Sequence, residues 1–527
     1  MKLVGALFWV SAAWAGSVYY VDCAAGNDAA AGLSRDTAWR SVRALSEREF
    51  HGGDTILLKR GTQCSGTLWP KGSGTANAPI VLDAYGSGPP PKITAEPGAE
   101  AALRLFDQEY WTVRHLELTG GDPHGIYISG THGVLHGVHL RELIVHGVSG
   151  EPKNKEGGLV VIAPGSVTQR FDDVLVEGVT AYGTSQWAGI LVGSAAFGFL
   201  PEEARSTNVT IRDSLVHDVA GDGIVLFQVN RGRIEDSVAW HTGMQLTETI
   251  GTPNGIWTWM CGECAVRRCE AFLTDSPGID GGAFDIDYGD TGNIVEDSYG
   301  HDTQGYCVAI FGAGQVTAGS VFRRNVCAAN GRSPRLAAFE GAVFLSTWNA
   351  GRLKGIDISE NRIFWHPPIA AAAVVNVAEI DSGGSFVRNT IETTVPEAIR
   401  GKASLRSEGN TIRQRAAQQP PAQPGQWRLY AAGQAALVSS AYRQFHAAGL
   451  EVTLSVPAGE SRDIHWDRNL GGIAVSFDDV VSGVMKLVSP SGAVVWRKEG
   501  PIAPGDLGLA LRAYLGAPDY TQLISER

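Results

Sequence analysis

One phrase recurs along the middle of this chain and constrains its fold more than any other feature. Between residues 110 and 412 an apolar strand, a small polar turn residue, a second short strand, a Gly and a third strand repeat in that order. The half that carries the turn reads Val209-Thr-Ile-Arg-Asp-Ser214, Gly232-Arg-Ile-Glu-Asp-Ser237, Ala265-Val-Arg-Arg-Cys269 and Asn293-Ile-Val-Glu-Asp-Ser298. It continues as Val321-Phe-Arg-Arg-Asn325, Asp357-Ile-Ser-Glu-Asn361, Phe386-Val-Arg-Asn389 and Leu405-Arg-Ser-Glu-Gly-Asn410. The Gly-led half reads Gly125-Ile-Tyr-Ile128, Gly189-Ile-Leu-Val192, Gly223-Ile-Val-Leu226 and Gly255-Ile-Trp-Thr258. Later copies are Gly282-Ala-Phe-Asp-Ile-Asp287, Gly305-Tyr-Cys-Val308 and Gly341-Ala-Val-Phe-Leu345. The period, roughly 20–36 residues, holds several short strands and no 3.6-residue apolar stripe, which excludes helical repeats.

A stacked coil of parallel strands accounts for this pattern. Apolar residues alternate into a continuous interior, and Ser, Cys and Asn form a column at one turn. In such a column each side chain can bond its neighbour in the next coil, satisfying groups that would otherwise be buried unpaired. Gly, 66 of 527 residues, is expected at the bends; so many would weaken a mainly helical protein. The fold class predicted is mainly β, a right-handed parallel β-helix. A net charge of −12 argues against nucleic acid as the default partner.

Lys2, the apolar run Leu3 to Trp14 and the Ala13-Trp14-Ala15 site together read as a signal peptide over residues 1–15. The expectation is a secreted or periplasmic protein, with no other stretch suited to a membrane span. Seven Cys remain, at 23, 64, 261, 264, 269, 307 and 327, so at least one lacks an internal partner. Cys261, Cys264 and Cys269 superficially resemble half a zinc site. No fourth ligand follows at the usual spacing, so buried or disulfide-linked thiols are the plainer reading.

The opening segments Tyr19-Tyr-Val-Asp22, Gly26-Asn-Asp28, Thr37-Ala-Trp39, Gly53-Asp-Thr-Ile56 and Lys71-Gly-Ser-Gly-Thr75 resemble the start of secreted β-helix proteins of the pectate-lyase-like superfamily. The resemblance covers residues 18–412 and implies the fold. It does not choose a reaction, because that superfamily includes lyases, hydrolases, epimerases and binding proteins. It assigns residues 16–415 to the β-helix. Residues 416–425 (AAQQPPAQPG) read as a linker. Residues 426–527 then resemble a thioredoxin-like α/β domain without its redox cysteines: strands near Trp427–Tyr430 and Leu450–Val456, helices over Ala435–Ala448 and Asp506–Leu515, and a hairpin of Val484–Val488 with Ala493–Arg497.

The segment from Asn254 to Tyr306 is richest in chemistry. In Phe284-Asp285-Ile286-Asp287 a period of two sets both carboxylates opposite Phe284 and Ile286. With the apolar pair inward, Asp285 and Asp287 stand side by side on the outer surface as acid/base or nucleophile candidates. One coil earlier Trp257 and Trp259 fall on that same outer face, suited to packing on a sugar while the carboxylates move protons. Asp280, Asp290, His301, Asp302 and Tyr306 crowd the same coils, with His301 and Asp302 as further catalytic candidates and Asp280, Asp290 and Tyr306 as substrate-binding candidates. An ordinary reading stands beside this one: Trp as core, Asp as turn caps. His146, His217 and His301 share one coil position and read as groove edge, proton-transfer groups or turn hydrogen bonds. Arg267, Arg268, Arg323 and Arg324 could clamp an acidic sugar, though solvated edge charges are the simpler account.

Three function classes follow. The first is a polysaccharide-active enzyme, either a hydrolase or a lyase. A lyase would use His301 or Tyr306 as base, with carboxylates or a calcium ion neutralising a uronate. The absence of Lys from Glu156 to Leu353 argues against a Lys-dependent lyase. No other cofactor is implied. The second class is a non-catalytic glycan- or surface-binding β-helix, and the third a structural or adhesive stalk.

Overall fold

In a computed structural model the recurring phrases become the rungs of a right-handed parallel β-helix. The structure describes residues 16–414, except 153–154, 245–251 and 402–404, and six strands between 428 and 502. Each coil contributes one strand to each of three parallel sheets, of 15, 13 and 11 strands. One coil shows the order: Ser206–Arg212 in sheet 1, Leu215–Val219 in sheet 2, Asp222–Phe227 in sheet 3, then Arg233–Glu235 back in sheet 1. Short connections that cross over in one hand leave the strands parallel. Ile211, Val216 and Ile224, all fully buried, show how the coil turns one apolar side inward from each sheet.

The expected turn column is present. The Cys269 N–H donates to Ser298 Oγ (3.1 Å), Ser298 N–H to Asn325 Oδ1 (2.9 Å), Asn325 N–H to Asn361 Oδ1 (2.9 Å), and Asn361 N–H to Asn389 Oδ1 (3.0 Å). Gly takes some bends, as expected: Gly292, Gly319, Gly355 and Gly383 are left-handed, with φ between 62° and 71°. The residue before a column position is also left-handed, but there it is Gly only before Asn410; elsewhere it is Asp213, Asp236, Arg268, Asp297, Arg324, Glu360 or Arg388, with φ between 51° and 60°. An L-residue there costs about 1–2 kcal/mol, and the column hydrogen bonds offset that cost. The Gly that leads sheet-3 strands has a different role. A Cβ on Gly223 would lie 2.3 Å from the Gly255 carbonyl oxygen and 2.7 Å from Ala239 Cβ, so Gly lets neighbouring coils close at that corner.

Disulfides join Cys23 to Cys64 and Cys307 to Cys327, while Cys261, Cys264 and Cys269 are buried free thiols. The signal segment and linker lie outside the described residues, as do both C-terminal helices. The C-terminal strands pair antiparallel: Arg428–Ala431 with Ile473–Ser476, and Glu451–Ser455 with Ser461–Ile464 and with Val481–Val488, which in turn pairs with Val494–Ile502.

Candidate active site

The outer face of sheet 3 carries a second apolar layer. Trp187, Leu191, Val225, Phe227, Trp257 and Trp259 pack there, outside the main core. The period-two reading placed the residues of the next coil on the correct faces. Phe284 and Ile286 are in the core, and Asp285 pairs in register with Trp257 on the outer side. It was wrong about exposure. Asp285 is 3% and Asp287 9% exposed, and Trp257 and Trp259 are buried as well. The second apolar layer is carried by the strands of this face, and the carboxyls are buried beside it and not on an open surface.

Asn254 organises the wall. Its N–H donates to Asp222 Oδ1 (2.8 Å), and its amide nitrogen donates to Asp285 Oδ2 (3.2 Å). Its amide oxygen accepts from Gly282 N–H (3.0 Å) and the Tyr306 hydroxyl (2.9 Å). Gly282 is required here because a Cβ would fall 2.0 Å from the Tyr306 ring. The Trp187 indole donates to the other Asp222 oxygen. Glu340 Oε1 accepts from Asp280 N–H (3.0 Å), and its second oxygen is buried without a partner. Asp285 Oδ1 is likewise buried and unpartnered.

Burial disfavours ionisation of all these acids. It raises Asp222 and Asp280 to about 6 and Asp290 to about 7, and pushes Asp285, Asp287 and Glu340 well above the carboxylate range. Mutual repulsion among Asp280, Asp285, Asp287 and Asp290 adds to the effect. Opposing it is Lys155, whose charge reaches Asp222, Asp280, Asp285 and Asp287. The Lys155 ammonium lies 4.7 Å from the ring centres of both Trp187 and Trp257 and donates to Thr252 Oγ1 (2.8 Å). Arg205 and Arg335 act on Asp290 and Glu340 respectively.

These acids are not equivalent. Asp290 is fully buried and holds a turn, accepting from Cys261 N–H (2.7 Å) and Thr258 Oγ1 (2.6 Å). It is therefore not placed to bind substrate, contrary to the sequence expectation. Asp285 is closed in by Asn254. Asp280, 8% exposed, and Asp287 are the least buried members of the group. Aromatic rings rise beside them: Tyr288 lies 5.8 Å from Trp259, 5.9 Å from Trp348 and 6.2 Å from Phe199, with Phe199 and Trp348 exposed.

His301 and Asp302 are elsewhere. His301 belongs to sheet 2, its ring held between Glu270 (3.0 Å) and Asp302 (2.8 Å) and stacked on Phe272. It continues a ladder of stacked rings from His146 through Tyr182, His217, Trp240 and Phe272. The shared His position therefore marks a stacking column, which accounts for the repeat without a groove edge. The four Arg are edge charges: Arg267, Arg323 and Arg324 all bind Glu296, and Arg268 binds Asp236.

Sequence reasoning missed Asn254, Asp222, Glu340 and Lys155. Asp222-Gly223 and Asn254-Gly255 share one position in successive coils, a signal that could have been read. Lys155 stands immediately before the stretch without Lys. Among the described residues, no three His, Cys, Asp or Glu side chains are placed to hold a metal ion, and no helix is long and apolar enough to cross a membrane.

Comparison with known proteins agrees with this architecture. No family model matches the chain. It is 27% identical to the lacto-N-biosidase of Bifidobacterium longum subsp. longum, over 54% of this chain and 24% of that protein. The chain thus spans about a quarter of the curated relative it matches. The crystal structure of GH136 lacto-N-biosidase from Eubacterium ramulus aligns with a TM-score of 0.53 at 21% identity, covering 76% of this chain and 68% of that one. Its selenomethionine form aligns equally well at 19% identity. The likeness to these two structures is one of fold.

Proposed function

We propose that this chain hydrolyses a glycosidic bond in a glycan, with Asp280 and Asp287 as the reacting carboxyl pair. The observation that carries the reading is a buried wall of six carboxyls, Asp222, Asp280, Asp285, Asp287, Asp290 and Glu340, of which these two are the least buried. Glycoside hydrolysis needs one carboxyl that keeps its proton near neutral pH and one that ionises beside it. Desolvation supplies the first condition, and the Lys155 ammonium favours the second. The charge of Asp280 raises Asp287, so the ionisation of one bears on the other. Asn254 and Tyr306 fix the wall, and the aromatic rim offers flat faces to a sugar ring.

A lyase is the weaker reading. Its base candidates are engaged, His301 between two carboxylates in sheet 2 and Tyr306 with Asn254. A wall this rich in carboxyls also disfavours a uronate, which points to an uncharged sugar at the cleavage point. The two relatives named above suggest lacto-N-bioside glycans as the first substrates to try. The two disulfides support export to an oxidising compartment. The test is release of a reducing sugar from a chromogenic lacto-N-bioside and from a panel of neutral glycans, followed alongside ultraviolet absorbance for lyase products. Turnover that survives both Asp280→Asn and Asp287→Asn would remove the assignment. Binding without either signal would favour the non-catalytic glycan-binding class.

A further inference from the structure

The same outer face of sheet 3 bears a second polar cluster at the end where the sheet begins in sequence, and its sign is reversed. Arg104 lies in the strand Leu103–Phe106, six strands along the sheet from Gly282–Ile286. At about 4.8 Å per strand that is about 29 Å from the carboxyl wall. The Lys71 ammonium sits 3.0 Å above the Trp69 ring centre, and the Arg104 guanidinium lies 4.5 Å from that ring and 5.1 Å from Phe106. Beside them His124 is only 6% exposed and stacks on Tyr127, the register partner of Arg104.

Three side-chain nitrogens here are buried with no hydrogen-bond partner: Trp69 Nε1, Arg104 Nε and His124 Nδ1. A buried donor left unsatisfied loses its hydrogen bond to water without a replacement. Countercharge is also short. Arg104 pairs with Glu100 (2.6 Å), but Lys71 makes no ion pair, and both burial and the nearby Arg104 press its ammonium toward losing its proton. Here the three nitrogens belong to neighbouring cationic and aromatic side chains, whereas both ring nitrogens of His301 are bonded by carboxylates.

We infer that Trp69, Lys71, Arg104 and His124 form a binding site for the anionic group, carboxylate or sulfate, of a glycan. An oxyanion would supply the missing acceptor to the buried donors and the missing charge to Lys71. That the anion is carried on a sugar rests on the glycan-directed reading of the same face; the anion chemistry does not. The site would anchor an acidic chain about 29 Å from the cleavage point, leaving the uncharged residue to the carboxyl wall.

The test is direct binding to the full chain, by calorimetry and by tryptophan fluorescence. The probes are a tri-galacturonate, a sulfated trisaccharide and a neutral trisaccharide. At least one acidic probe should bind in a salt-sensitive manner, at least tenfold tighter than the neutral one, and whichever prevails identifies the anion. Lys71→Gln and Arg104→Gln should each weaken that binding about tenfold, and Trp69→Phe should abolish the fluorescence change. Hydrolysis of a short neutral substrate should be unaffected by Lys71→Gln. Equal affinity for acidic and neutral probes, or no binding by the unaltered chain, overturns the proposal without touching the hydrolase reading. Should Arg104→Gln fail to fold, the partly exposed Lys71→Gln decides: unchanged acidic-probe binding in that variant also overturns it.

Discussion

The outward faces of sheets 2 and 3 both bury carboxyls beside aromatic rings, but they treat charge in opposite ways. On sheet 2 the acids are paired. The Glu117 carboxyl bonds His146 (3.0 Å) and Lys92 (2.8 Å), which brings it down to about 2. Burial alone would press the His301 ring down, but hydrogen bonds to Asp302 and Glu270 outweigh it and raise the ring to about 9. On sheet 3 six carboxyls share mainly one ammonium, Lys155, and burial drives them upward. Paired buried charge fixes an arrangement. Unpaired buried charge keeps protons available near neutral pH, as acid–base chemistry requires.

The largest effect expected from this contrast is on turnover. Asp287→Asn should lower kcat by about 10²–10⁴-fold with little change in unfolding midpoint, measured on whichever glycan is cleaved. His301→Gln should leave kcat per folded molecule near its original value. If the two outcomes exchange places, the assignment of chemistry to sheet 3 is wrong.

Stability should show the reverse order. Removing one partner of a buried pair costs about 3–5 kcal/mol, so His301→Ala should lower the free energy of unfolding by about that much. Because the folded ring titrates near 9, this contribution is complete below the unfolded value of 6.5 and fades as pH rises through 9. Chemical denaturation at pH 6 and pH 9.5 should therefore show a large and a small penalty respectively.

The sheet-3 acids predict a slope of their own. An unfolded carboxyl ionises near 3.8, whereas folded Asp222, Asp280 and Asp290 hold their protons to about 6–7. The folded chain thus binds more protons in that window, and stability should fall as pH rises from about 4 to about 7. Asp285→Asn removes one charge from the repelling group. It should stabilise the chain at pH 8 more than at pH 4, and an equal effect at both would contradict the buried repulsion. The smallest change is expected from Lys155→Met. Without its ammonium the acids ionise less readily, and the pH optimum of turnover should move up by about one pH unit. An unmoved optimum would show that Lys155 is structural.

Much of the fold was legible because its physics is local and repeated. The strands around Ser298, Asn325 and Asn361 carry the same alternation, and each column residue finds its partner one coil away whatever the rest of the molecule does. The facing of Phe284 and Asp285 was equally readable, since a strand allows only two sides. Exposure was not. Whether Asp285 met water depended on neighbours in another coil, Asn254 and Trp257, far from it in sequence. Lys155 was invisible for the same reason: nothing local says that a cation from a sheet-3 connection meets acids several coils away. His301 misled in the other direction, because its spacing relative to Asp302 looks the same in a reactive site and in a stacking ladder.

The sequence by itself determined the helical stack of strands, the column at its turn and the side of the strand each residue occupies. Those features arise from a period of two and a repeat of neighbouring coils, both written along the chain. Tertiary structure decided which carboxyls are paired and which are buried with little countercharge. Protonation in a low-dielectric wall depends on every charge and covering side chain within several ångströms, and those neighbours are assembled only when distant segments fold over the sheet.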